Sequence, residues 1–237
     1  MTTNTTFSAK QYGRIAGLLY LIIIITGLFS ELFVRGTLIV PNDAAATAQN
    51  IMAAPMLYRI GFLSDFIMVL CDIGVAIIFY QLLRPVSHLL ALTAMLLRLA
   101  QAIIIGYNLL HYFSVLLILD STSATGADVQ QLYTQAMLQL QLHHYGYLIS
   151  GIFFGVCCLL LGYLFYRSAY FTKVLGIMIS LAGVGYLVDC FTNFLAPSYA
   201  DLSEILLLFT AVITELTLCL WLIIKGAKTI APSQLHD

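Results

Sequence analysis

The sequence predicts an all-α fold: a polytopic membrane protein built as a six-transmembrane-helix bundle, with a short interfacial helix in its first outward loop. Three observations lead there. Hydrophobic residues make up 61% of the 237 positions and charged residues only 9%, whereas soluble domains carry about 25% charged residues. Mean hydropathy is +0.98, more apolar surface than a water-soluble fold could hide. The apolar residues also fall into six stretches divided by short polar breaks, and each is long enough for a bilayer core, which takes about 20 residues at 1.5 Å rise.

The first stretch, residues 12–34, follows Lys10 and Arg14. It exceeds the roughly 7–15 residues of a signal-peptide core and meets Glu31 and Arg35 before the small residues Ala44, Ala45 and Ala46, so a span is expected rather than a cleaved leader. The loop after it begins Val40-Pro41-Asn42-Asp43, a helix-start sequence, and continues in an alanine-rich body to Pro55. Its apolar positions Ala44, Ala48, Ile51 and Met52 recur at helical spacing, which predicts the interfacial helix over residues 43–54. A plain connector and a lid over a site between the spans are its two readings.

The remaining spans are expected at residues 56–83, 87–119, 136–166, 172–195 and 201–225. Turn chemistry separates them: Arg84-Pro85, Ser121 to Gly126, Arg167-Ser168 and Ala196-Pro197-Ser198, with Pro232 in a polar tail. No stretch is left for a soluble domain, so residues 1–237 read as one membrane domain. Lys10, Arg14, Arg84, Arg167, Lys173, Lys225 and Lys228 fall on the side of the termini, leaving Arg35 and Arg59 opposite. The positive-inside rule then places both termini in the cytoplasm.

Charge and cysteine content exclude two classes. Net charge is −1 with no basic run, so nucleic acid is not an expected partner, and the lipid bilayer is. Cys71, Cys157, Cys158, Cys190 and Cys219 all lie in apolar stretches without CxxC spacing, the pattern of buried small hydrophobes. The absence of a nucleotide-binding loop argues against ATP-driven work within these residues.

Four segments carry a resemblance: Leu38-Ile39-Val40-Pro41-Asn42-Asp43-Ala44-Ala45-Ala46-Thr47-Ala48, Arg59-Ile60-Gly61-Phe62-Leu63-Ser64-Asp65, Tyr145-Gly146-Tyr147-Leu148-Ile149, and Gly183-Val184-Gly185-Tyr186-Leu187-Val188-Asp189. The chain resembles, from about Gln11 to Lys225, the bacterial integral-membrane family catalogued as domain of unknown function 4386. The resemblance implies the same helical fold and a bacterial cytoplasmic (inner) membrane. It carries no catalytic roles onto these positions.

Ionisable residues inside spans cost about 2.5–3.5 kcal/mol each at mid-bilayer and mark protein interiors or wet cavities. Counted from the inner ends, Asp72, Arg98 and Glu215 lie about 10–11 residues deep, roughly 16 Å at 1.5 Å per residue, forming one layer. Asp65, Asp189 and Glu31 form a second layer of carboxylates, and Arg59, His111, His143 and His144 a third at the outer rim. Helical spacing puts Asp65, Met68 and Asp72 on one stripe, and Tyr186, Asp189 and Asn193 on another.

The leading expectation is therefore a polar seam that binds a small polar solute or cation in an outward-facing pocket, with transport as its extension. Its candidates are Glu31, Arg59, Asp65, Asp72, Arg98, Asp189 and Glu215. Asp72 and Arg98 are expected to pair, a contact that fixing helix register would equally explain. Asp65 and Asp189 are expected to converge near His111 and His143 or His144, beneath the loop helix. No cofactor is predicted outright. One alternative is a membrane enzyme holding a divalent metal or haem on His111 and His143 or His144, although no HxxxH or HExxH spacing supports it. The other is an accessory scaffold whose polar seam only specifies assembly.

Overall fold

The computed structural model describes residues 8–121 and 128–228. Among them 90% are helical and none is in a strand. The polar break after Ser121 and the tail around Pro232 lie outside the described residues.

Six helices are long and apolar enough to cross a membrane. They are α1 (Ala9–Leu38), α3 (Pro55–Leu83), α4 (His88–Asp120), α5 (Val129–Arg167), α6 (Lys173–Leu195) and α7 (Ala200–Lys225), with the short α2 (Ala44–Ala53) in the first loop. Large apolar side chains stand exposed along them, among them Ile25, Leu70, Ile103, Ile177 and Phe209 at 51–70%. Surfaces of that kind require lipid around them.

Two helices outrun their apolar stretches, each for a local reason. α5 starts at Val129 because Asp128 caps it, its carboxylate accepting from Gln130 N–H at 3.0 Å, and helix formation does not need apolar residues in that turn. α1 continues to Leu38 through a π-helical turn, Phe29–Arg35. Glu31 and Arg35, which end the apolar run in sequence, pair there with each other, Arg35 Nε donating to Glu31 Oε2 at 2.7 Å.

The sequence reads as one membrane domain, while the contacts gather into two compact units. The first comprises Met1–Leu21, Cys71–Gln101 and Ser150–Asp237, and the second Ile22–Leu70 and Ala102–Ile149.

Glycine faces hold the first unit together. Lipid offers helices no hydrophobic drive to associate, so close backbone approach has to supply the packing. A Cβ on Gly176 would sit 2.7 Å from Gly162 O, and one on Gly183 2.8 Å from Gly155 O, which sets the α5–α6 contact. Gly17 plays the same part between α1 and α7, where an added Cβ would lie 2.8 Å from Ile223 N. Phe165 and Phe171 stack near the end of α5 with centroids 3.9 Å apart, and Trp221 meets Phe171 at a tilt, 5.5 Å away.

The second unit is built around α2. Pro41 and the left-handed Asn42 (φ 61°) turn the chain, and the Asp43 carboxylate caps the helix by accepting from Ala46 N–H at 2.8 Å. Thr47 Oγ1 accepts from Val40 N–H at 2.9 Å, tying the helix back to its own entry. Thr47, Ala48 and Ile51 form the buried face, and Ala48 and Ile51 pack with Val34, Leu38, Tyr58, Tyr112 and Leu140. Met52, expected on that face, is 40% exposed.

Candidate functional site

In the second unit the polar groups gather around Arg35. The π-helical turn that carries it inserts extra backbone into an α-helix, a device that re-aims side chains and recurs at functional sites. Arg35 Nη1 donates to Asp65 Oδ2 at 2.6 Å and to Ser30 Oγ at 3.0 Å, and Nε donates to Glu31 Oε2 at 2.7 Å. Asp65 is completely buried, whereas the Glu31 side chain is 65% exposed. Ser30 Oγ also donates to Gly61 O at 3.3 Å. Gly61 is required at this crossing, since a Cβ would stand 2.8 Å from both Tyr112 Oη and Val34 Cγ1.

The Arg35 guanidinium lies over the Tyr147 ring at 5.6 Å, and that ring stands edge-on to His143 at 5.1 Å. His143 Nδ1 donates to Asn108 O at 3.2 Å while Asn108 Nδ2 donates to His143 O at 2.7 Å, a reciprocal clasp between α4 and α5. A carbonyl can only accept, so Nδ1 carries the proton and Nε2 of the neutral ring is an acceptor. That Nε2 is buried and without a partner, as is Asp65 Oδ1. Two orphaned buried acceptors in one cluster are uncommon, because such groups normally find partners. On the other side of His143, Tyr58 and Tyr112 stack at 4.0 Å and donate to each other's carbonyls at 2.8 and 3.3 Å.

The first unit holds Asp72, Arg98 and Glu215. Arg98 Nε and Nη2 both donate to Asp72 Oδ1, at 2.9 and 2.5 Å, and Asp72 Oδ2 is buried without a partner. The Tyr20 and Phe154 rings flank the guanidinium at 5.4 and 5.0 Å. Tyr186 Oη donates to Glu215 Oε1 at 2.8 Å. A cavity of about 10 Å³, the size of one water, is lined by Tyr20, Arg98, Thr214 and Glu215. Asp189, also in this unit, accepts from Ser203 Oγ at 2.8 Å and from Asn193 Nδ2 at 3.3 Å.

The expected Asp72–Arg98 contact is therefore present. The layer expected to hold only carboxylates instead contains a cation: Arg35, assigned to the outward loop by hydropathy, neutralises Asp65. Asp65 and Asp189 each have their own partners within their own unit. Arg59 is exposed. The histidines are separately engaged, His111 Nδ1 with Gln139 Oε1 at 2.8 Å and His143 with Asn108, while His144 is exposed against the Tyr145 ring. Among the described residues no three His, Cys, Asp or Glu gather as a metal site. Sequence reasoning missed Arg35 and Ser203 as members of the site. For Arg35 alone a signal was available, its i,i+4 spacing from Glu31, which places both on one helix face.

A family model described as "Domain of unknown function (DUF4386)" matches residues 15–226. An uncharacterized protein of Archaeoglobus fulgidus is 32% identical over 179 residues, covering 73% of this chain and 87% of the relative. No solved structure matches.

Proposed function

The chain belongs to the DUF4386 family, whose description names no activity, and from that premise we propose that it is a multi-pass membrane protein that binds a small polar solute at the Arg35–Asp65 centre. The cytoplasmic membrane of a bacterium, with both termini inside and the centre opening outward, is the setting that the basic-residue distribution and the family resemblance favour. The observation that carries the reading is the unpartnered Asp65 Oδ1, fully buried beside a guanidinium and in one cluster with the unpartnered His143 Nε2.

An arginine and a carboxylate offer both signs, and the two orphaned atoms add acceptors. Such a set suits a neutral or zwitterionic solute with N–H or O–H donors better than a bare cation, because Arg35 already answers the Asp65 charge. Movement of the solute across the membrane is the extension of this reading. The metal or haem enzyme reading has less support, since His111 and His143 hold separate partners. The scaffold reading draws its support from the same ion pairs, taken as helix fasteners.

Thermal stability of the purified protein, measured against glycine, taurine, glycerol, Na⁺ and Mg²⁺, tests the reading. A ligand at a hundredfold excess over its Kd stabilises by about 2.7 kcal/mol, so a binder among the zwitterions or the polyol raises Tm in the wild type. The rise should vanish in Asp65→Asn. Stabilisation by the cations alone, or an equal rise in Asp65→Asn, would overturn the reading.

A further inference from the structure

Three ionisable groups of the first unit share one layer: Asp72 on α3, Arg98 on α4 and Glu215 on α7. Two are acids and one is a base. Arg98 directs Nε and Nη2 at the single oxygen Asp72 Oδ1. Glu215, on the cavity that Arg98 also lines, receives only the neutral Tyr186 hydroxyl. Tyr20 of α1, Arg98 of α4, Cys158 of α5 and Thr214 of α7 line that cavity with Glu215, Tyr186 of α6 bonds to it, and Asp72 of α3 joins the set through Arg98. Arg98 is the one cation in that set.

With both carboxyls ionised, the layer would hold an uncompensated negative charge within membrane-spanning helices, where Asp72 is buried and Glu215 half-buried. A membrane interior opposes such a charge. Asp72 takes two charge-assisted hydrogen bonds, so it keeps its charge. The remaining carboxyl has to be neutral. We propose that Glu215 is a proton-binding site, neutral while Arg98 rests on Asp72, with Tyr186 donating to Oε1 and the proton on Oε2.

Release of that proton breaks the Oε2–H bond and passes the proton to a water, for which the cavity has room. The carboxylate left behind competes with Asp72 for Arg98, whose second amino group, Nη1, has no bond to Asp72. Rebinding the proton returns the guanidinium to Asp72. The layer is thus a two-position switch in which one proton on Glu215 decides how Arg98 is shared. It stands on residues separate from the Arg35–Asp65 centre and holds whether or not that centre takes a solute.

Infrared spectroscopy of the full chain in lipid nanodiscs near neutral pH tests it. A protonated-carboxyl C=O band is expected in the difference between wild type and Glu215→Gln, and it should move to higher frequency in Tyr186→Phe, which removes the hydrogen bond to Oε1. In Asp72→Asn the same band should be lost although Glu215 is still present, because Arg98 then has Glu215 as its counter-charge. A merely structural Glu215 would not respond to Asp72. Absence of the band in the first difference, an unmoved band in Tyr186→Phe, or a band retained in folded Asp72→Asn would each overturn the proposal. If Asp72→Asn does not fold, the Glu215→Gln and Tyr186→Phe spectra decide it.

Discussion

Asp72 relies on Arg98 as its cation, and their side chains are 7% and 3% exposed. Removing one member of such a pair leaves a buried charge without its partner, at a cost of about 3–5 kcal/mol, whereas replacing both by well-packed apolar residues is often nearly neutral. Arg98→Gln, which leaves Asp72 without a cation, should therefore lower the thermal stability of the detergent-solubilised protein far more than the double change Asp72→Leu with Arg98→Met. Asp72→Asn should cost less, because Glu215 then answers Arg98. Equal losses in Arg98→Gln and in the double variant would rule out an energetically coupled pair. Arg35 and Asp65 predict an asymmetry instead. Arg35→Gln strands a carboxylate with no exposure, while Asp65→Asn leaves Arg35 with Glu31 at 2.7 Å. Arg35→Gln should be the more destabilising of the two, by about 1–3 kcal/mol if leaving a buried polar group unsatisfied is what separates them. Glu31→Gln should cost less than about 1 kcal/mol, as exposed pairs do. A denaturation series on the three variants checks the order.

Among the elements, the π-helical turn and the glycine faces are the parts most sensitive to single changes. Deleting Leu32, an exposed residue inside Phe29–Arg35, allows the segment to close into α-helix. Arg35 is then carried about 100° around the axis relative to Ser30, the angle of one α-helical residue. The deletion should lose the Arg35–Asp65 pair and approach Arg35→Gln in stability. A deletion variant as stable as wild type would show that the turn is not what aims Arg35. At the α5–α6 contact, Gly183→Val places carbon against the Gly155 carbonyl, a backbone group that cannot step aside. Overpacking of this kind costs about 1–3 kcal/mol, read as a drop in Tm that an exposed-face change such as Val184→Ala does not produce. The placing of Gly176 and Gly183 on one helix face, two turns apart, was legible in the sequence. The π-turn was not, because it follows from the partners of its side chains and not from any propensity of Phe29 to Arg35.

For the whole molecule, the distribution of Lys and Arg sets the expected orientation. Single cysteines at Asp43, Asp128 and Asp201, in a background lacking the native five, should react with a membrane-impermeant thiol reagent applied outside intact cells. One at Arg84 should react only after the cells are opened. Labelling of Arg84→Cys from outside would reverse the topology and move the Arg35–Asp65 centre to the cytoplasmic face. The sequence by itself determined the six spans and the loop helix. Apolar run length, capping residues and rise per residue are local properties that survive in any packing. Depth alone was enough to bring Asp72 to Arg98, since helices crossing one bilayer reach equal heights. What the tertiary structure decided was azimuth and partnership. Arg35 turned inward to Asp65, His143 clasped Asn108, and Asp189 turned to Ser203, because which face of a helix meets which neighbour depends on glycine contacts and one π-turn distributed over the whole chain, and no single stretch of residues encodes it.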